Sequence, residues 1–62
     1  MDIESEKSSI AAFVDKGNYH AAMNIAISAL NECRRNNNQA GSDEFLKIIK
    51  DIANTMTEAF GS

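Results

Sequence analysis

Proline and tryptophan are absent, and cysteine occurs once, at Cys33. With no proline, no helix interior is interrupted by a locked ring or a missing N–H. A single cysteine excludes an internal disulfide, and with the lone His20 it leaves neither a CxxC nor an HExxH spacing for a metal. Cys33 therefore reads as a small buried hydrophobe in a reducing compartment. Glycine is scarce as well. Gly17, Gly41 and Gly61 are the three in the chain, so they become its natural punctuation, and no glycine-rich phosphate loop exists. No run of about 18 apolar residues occurs, and no basic segment followed by an apolar one marks a secretory signal. The expected compartment is the cytoplasm, with no membrane contact. Basic residues number six against nine acidic ones, a net charge of −3. That balance opposes a generic nucleic-acid backbone binder, which gathers Lys and Arg on one face.

What the sequence has in quantity is apolar helical periodicity. From Tyr19 to Arg35, the residues Ala22, Met23, Ala26, Ile27, Leu30 and Cys33 recur three and four positions apart, and Ala21, Ile25 and Ala29 widen the stripe. Asn24, Ser28 and Glu32 remain as a polar edge. A helix apolar on nearly every side sits between two others or at a subunit contact. Its alanines favour the helix and let a neighbouring backbone approach closely.

The flanks supply the neighbours. Residues 3–16 form a first helix with Ile3, Ile10, Phe13 and Val14 on its apolar side, Asp2 or Ser5 as N-cap, and Glu4 and Glu6 at the positive end of the dipole. Gly17 ends it in the left-handed conformation, and the short Gly17-Asn18 link makes the first two helices antiparallel neighbours. The second helix spans 19–36. Asn36 to Gly41 reads as a polar loop, with Ser42 as N-cap and Asp43 and Glu44 in the first turn of a third helix over 43–60. Phe45, Ile49, Ile52, Met56, Ala59 and Phe60 form its stripe. Ile48 lies off that stripe, beside Asp51 and Thr55 at helical spacing, and extends a contact surface. Gly61 stops the helix. The fold class is all-α, a three-helix domain over 1–62 in which an antiparallel hairpin carries a third packed helix.

Residues 13–30, FVDKGNYHAAMNIAISAL, place Phe13, Gly17, Tyr19, Ala22, Ala26, Ala29 and Leu30 at the spacing of a tetratricopeptide repeat, which this stretch resembles. The resemblance implies a TPR-like helical hairpin and, by analogy, protein or peptide binding. The sequence departs from the family pattern at Ser9 and Ile10, has Ala26 where a large aromatic is usual, and contains one unit where a solenoid stacks about three.

Constellations that carry chemistry are few. His20 and Cys33 stand about 20 Å apart along one helix at ~1.5 Å per residue, too far for a Cys-His pair within one subunit. The carboxylate pairs Glu4-Glu6 and Asp43-Glu44 fall in expected first turns, where the helix dipole accounts for them. No cofactor, metal or catalytic residue is expected. A chain of 62 residues buries only about 60% of its unfolded surface, and with no disulfide or metal, self-association is the remaining source of stability. The leading expectation is a small non-enzymatic regulator or adaptor, such as an inhibitor or immunity-type factor. It would dock an apolar helical face on a protein partner and form a homodimer. Tyr19, Met23, Ile48, Met56 and Phe60 are the contact candidates, with Met1, Met23 and Met56 as adaptable side chains. The alternative is a small dimeric nucleic-acid-associated transcriptional regulator. It would use Arg34 and Arg35 with the Asn-rich loop, residue types that read guanine and adenine edges.

Overall fold

A computed structural model describes residues 2–60, which form three helices: α1 (Ile3–Asp15), α2 (Tyr19–Arg35) and α3 (Gln39–Phe60). The all-α, three-helix architecture is the one the periodicity predicts. The expected helix stop at Gly61 and the contact role of Met1 lie outside the described residues.

Local chemistry sets the boundaries. Asp2 is the N-cap of α1, its carboxylate accepting the Glu4 N–H at 3.1 Å. α1 stops at Asp15, one residue before the expected end. Lys16 is the C-cap, and Gly17 follows at φ +77°. The Gly17 N–H donates to the Val14 carbonyl and the Asn18 N–H to the Phe13 carbonyl, both at 2.9 Å. This closes the helix with the orphan carbonyls of its last turn satisfied. Asn18 then caps α2, its side-chain oxygen accepting the Ala21 N–H at 3.3 Å.

The third helix begins four residues earlier than expected, at Gln39 instead of 43. Asn37, at φ +57°, takes the left-handed conformation that Gly17 takes at the first turn. The Asn38 side chain accepts the Gly41 N–H at 3.0 Å, so the capping residue is Asn38 and not Ser42. The loop from Asn36 to Gly41 is thus a turn of three residues. Ser42 is buried inside the helix, and Asp43 and Glu44 are no longer in its first turn. Gly41 has a packing reason to be glycine. A Cβ added there would stand 2.7 Å from the Cys33 Sγ and 2.8 Å from the Asn38 Nδ2.

Both α1 and α3 pack on α2 and come close to each other at few points. The core consists of Ile10, then Ala22, Ala26, Ala29, Leu30 and Cys33 from α2, and Phe45 and Ile52 from α3. Three of the five α2 residues are alanines, as a helix pressed from two sides requires. The same constraint corrects one expectation: Ala29 is buried, whereas Ile27 is 43% exposed. The inward stripe of α2 runs through Ala22, Ala26, Ala29, Leu30 and Cys33, small residues for the most part, and leaves Ile27 to one side.

Candidate protein-docking surface

Four of the five contact candidates lie toward one end of the molecule. Antiparallel packing brings the start of α2 beside the end of α3, where the rings of Tyr19 and Phe60 meet edge to face with centroids 6.2 Å apart. Met23 and Met56 each stand one helical turn further in and pack, half-buried, against the core. Phe60 remains 76% exposed despite its contact with Tyr19. Such a pair is worth about 0.5–1.5 kcal/mol beyond burial, which holds the ring in place without covering it.

Ile48 sits apart, twelve residues before Phe60, or about 18 Å along the helix at ~1.5 Å per residue. It belongs to a groove between α1 and α3. From α1 come Ile10, Ala11, Val14 and Asp15, and from α3 come Ile48, Asp51, Ile52 and Thr55. The expected grouping of Ile48 with Asp51 and Thr55 is observed. The groove holds about 220 Å³, below the roughly 300–1,000 Å³ of small-molecule sites. Its size suits one or two side chains. The groove exists because α1 and α3 lean on α2 and leave a trough above it.

One end of this trough is tied by charge. Lys7 of α1 donates to Glu44 of α3 at 2.5 Å and lies 3.8 Å from Glu4. The hydrogen bond to Glu44, reinforced by the charge of Glu4, raises the Lys7 pKa above its ordinary 10.5. Glu44 therefore owes its place to a cross-helix ion pair and not to the helix dipole. The shift of the helix start, missed in the sequence, is what puts it one turn further along.

The nucleic-acid candidates are at the C-terminal end of α2. Arg34 and Arg35 are both exposed, and Arg34 borders a polar hollow with Asn37, Asn38 and Gln39. Arg35 is already engaged, because its guanidinium donates to Glu32 one turn back. That hydrogen bond, with the arginine charge second, holds the Glu32 carboxyl below its ordinary 4.5. The Asn-rich segment is a tight turn with Asn38 committed to capping, so it has little reach.

Among the described residues no group of three or more His, Cys, Asp and Glu side chains is placed to hold a metal. None of their helices is long and apolar enough to cross a membrane. Cys33 is a buried free thiol, fully enclosed, while His20 is exposed. No protein-family model matches this chain, and neither the curated proteins nor the solved structures contain a match.

Proposed function

We propose that this chain is a small non-enzymatic protein-binding regulator or adaptor, of the inhibitor or immunity type, that docks an apolar helical surface on a protein partner in the cytoplasm and self-associates. The observation that carries this reading is the apolar surface that the three packed helices leave open. Phe60 and Ile27 stand 76% and 43% exposed, and the α1–α3 groove is unfilled. Isolated exposed hydrophobes are ordinary. Here, however, an aromatic end and an apolar trough occur on one short chain, and each apolar anchor buried on a partner contributes about 1.5–3 kcal/mol. The TPR-like hairpin resemblance points the same way.

Two measurements test the two halves of the proposal. Sedimentation equilibrium at micromolar concentration should give a mass above the 6.8 kDa of the single chain, reduced to that mass by Ile27→Asp. A clean monomer in the unsubstituted protein defeats self-association. Site-specific photo-crosslinkers at Phe60 and Ile48 in the native host should give protein adducts that a crosslinker at exposed Asn24 does not. Equal labelling at all three sites defeats docking through these surfaces.

A further inference from the structure

Two aspartates on facing walls of the α1–α3 groove narrow the docking proposal. Asp15 stands on the α1 side and Asp51 on the α3 side of a floor made of Ile10, Val14, Ile48 and Ile52. No basic residue lines the groove. Among the described residues the ion pairs are Lys7 with Glu4 and Glu44, and Arg35 with Glu32, so neither aspartate is matched by a cation. Asp15 is moreover misplaced for stability. It is the last residue of α1, where the helix dipole is negative and a carboxylate is unfavourable. At the corresponding end of α2 the last turn carries Arg34 and Arg35, the favourable sign. The C-cap Lys16 sits at the same end of α1, yet neither aspartate makes an ion pair inside the fold, so both carboxylates are open to a cation brought from outside it.

The walls define the shape of that partner. Both are helices, no strand occurs among the described residues, and so no sheet edge is offered for strand addition. A trough between two helices that both run antiparallel to α2 accepts a third helix by packing ridges into grooves. The Lys7–Glu44 bridge closes one end, while the end toward Asp15 and Thr55 has no such tie.

We infer that the α1–α3 groove receives a basic amphipathic helix from a protein partner, its apolar side chains resting on Ile10, Val14, Ile48 and Ile52 and a Lys or Arg lying between Asp15 and Asp51. This rests on the docking function proposed above and specifies the chemistry of the docked segment. The charge pattern selects among ligands, and the apolar floor holds them.

The test uses the full chain and two synthetic fourteen-residue helical peptides (~21 Å at 1.5 Å per residue). Both carry leucines at i, i+4, i+7 and i+11, flanked by lysines in one and by glutamates in the other. Amide chemical-shift changes report the site, and fluorescence anisotropy reports the affinity. The lysine peptide should perturb amides around Ile10, Val14, Ile48 and Ile52 and bind at least tenfold more tightly than the glutamate peptide. Asp15→Asn with Asp51→Asn, isosteric changes at exposed positions, should weaken the lysine peptide about three- to tenfold, as expected for two exposed ion pairs. Ile48→Gln should weaken both peptides. Equal affinity for the two peptides in the unsubstituted chain overturns the basic preference and leaves docking standing. Perturbation confined to the Tyr19–Phe60 end, occlusion of the groove by a second copy of the chain, or no binding of the lysine peptide at millimolar concentration overturns the inference itself.

Discussion

The turn at residues 16–18 and the turn at 36–38 use the same hydrogen bonds with different residues. In each, a residue at positive φ donates its N–H three positions back, to Val14 in one and Arg34 in the other, and the next residue donates five back, to Phe13 or Cys33. In each, an Asn then caps the following helix through its side-chain oxygen, Asn18 to the Ala21 N–H and Asn38 to the Gly41 N–H. The chain thus makes one helix-to-helix connection twice, twenty residues apart. The first copy has a glycine at the left-handed position and an alanine, Ala21, four residues later in the helix. The second puts an asparagine at the left-handed position and a glycine inside the helix. Backbone geometry set the hydrogen bonds, and packing decided which residue could be glycine.

The sharpest way to break this parallel is at the helix interior. Gly41→Ala should destabilise the fold by about 2 kcal/mol in chemical denaturation, because the new Cβ crowds a fully enclosed thiol. Cys33→Ala in the same chain should restore part of the loss. A purely additive double mutant would show that the crowding is not with that sulfur. At the left-handed positions the ranking reverses. Gly17 has nothing within 4 Å of an added Cβ, so Gly17→Ala meets only backbone strain and should cost roughly 1 kcal/mol by thermal melting. Asparagine tolerates that conformation better than alanine does. Asn37→Gly should accordingly raise stability by no more than about 0.5 kcal/mol, and a loss would mean that the Asn37 side chain makes a contact of its own. The capping residues differ less. Asn38 is half-buried and Asn18 exposed, so Asn38→Ala should cost about 1 kcal/mol and Asn18→Ala about half as much.

The smallest effect concerns charge just ahead of the second turn, where Arg35 hydrogen-bonds Glu32. A carboxylate whose pKa is depressed on folding adds stability above its ordinary 4.5 and loses it as pH falls through the lower folded value. For so exposed a pair the contribution is slight. The titration itself is the measurement: the Glu32 carboxyl should titrate below 4.5 by NMR, and Arg35→Gln should return it toward that value.

These differences also explain what could be read in the residues alone. Gly17 announced its turn because glycine after a helical stripe, with Lys16 before it, has few other meanings. Asn37 performs the same task inside three consecutive asparagines, where nothing marks the middle one. Ser42-Asp43-Glu44 imitates a helix start closely, and Gly41 in front of it looked like loop. The real start was hidden because tertiary contact with Cys33, not propensity, keeps Gly41 in the helix. On α2 the full-length periodicity was legible, but its inward direction was not. Ile27 and Ala29 compete for the same broad stripe, and only the closeness of α1 and α3 favours the smaller. Half of the groove was visible as Ile48, Asp51 and Thr55 on one helical face. Its other wall, Ala11, Val14 and Asp15, needed the knowledge that α1 lies alongside α3. The Tyr19–Phe60 contact likewise joins residues far apart in the sequence, one at the start of α2 and the other at the end of α3.

Because each helix rests on the one next to it along the chain, and short turns make both connections, most of the native arrangement forms without closing a long loop. Contacts so close in sequence belong to chains that reach their final shape in microseconds to milliseconds. Stopped-flow mixing should therefore find refolding complete within its dead time, on a timescale that a temperature jump resolves.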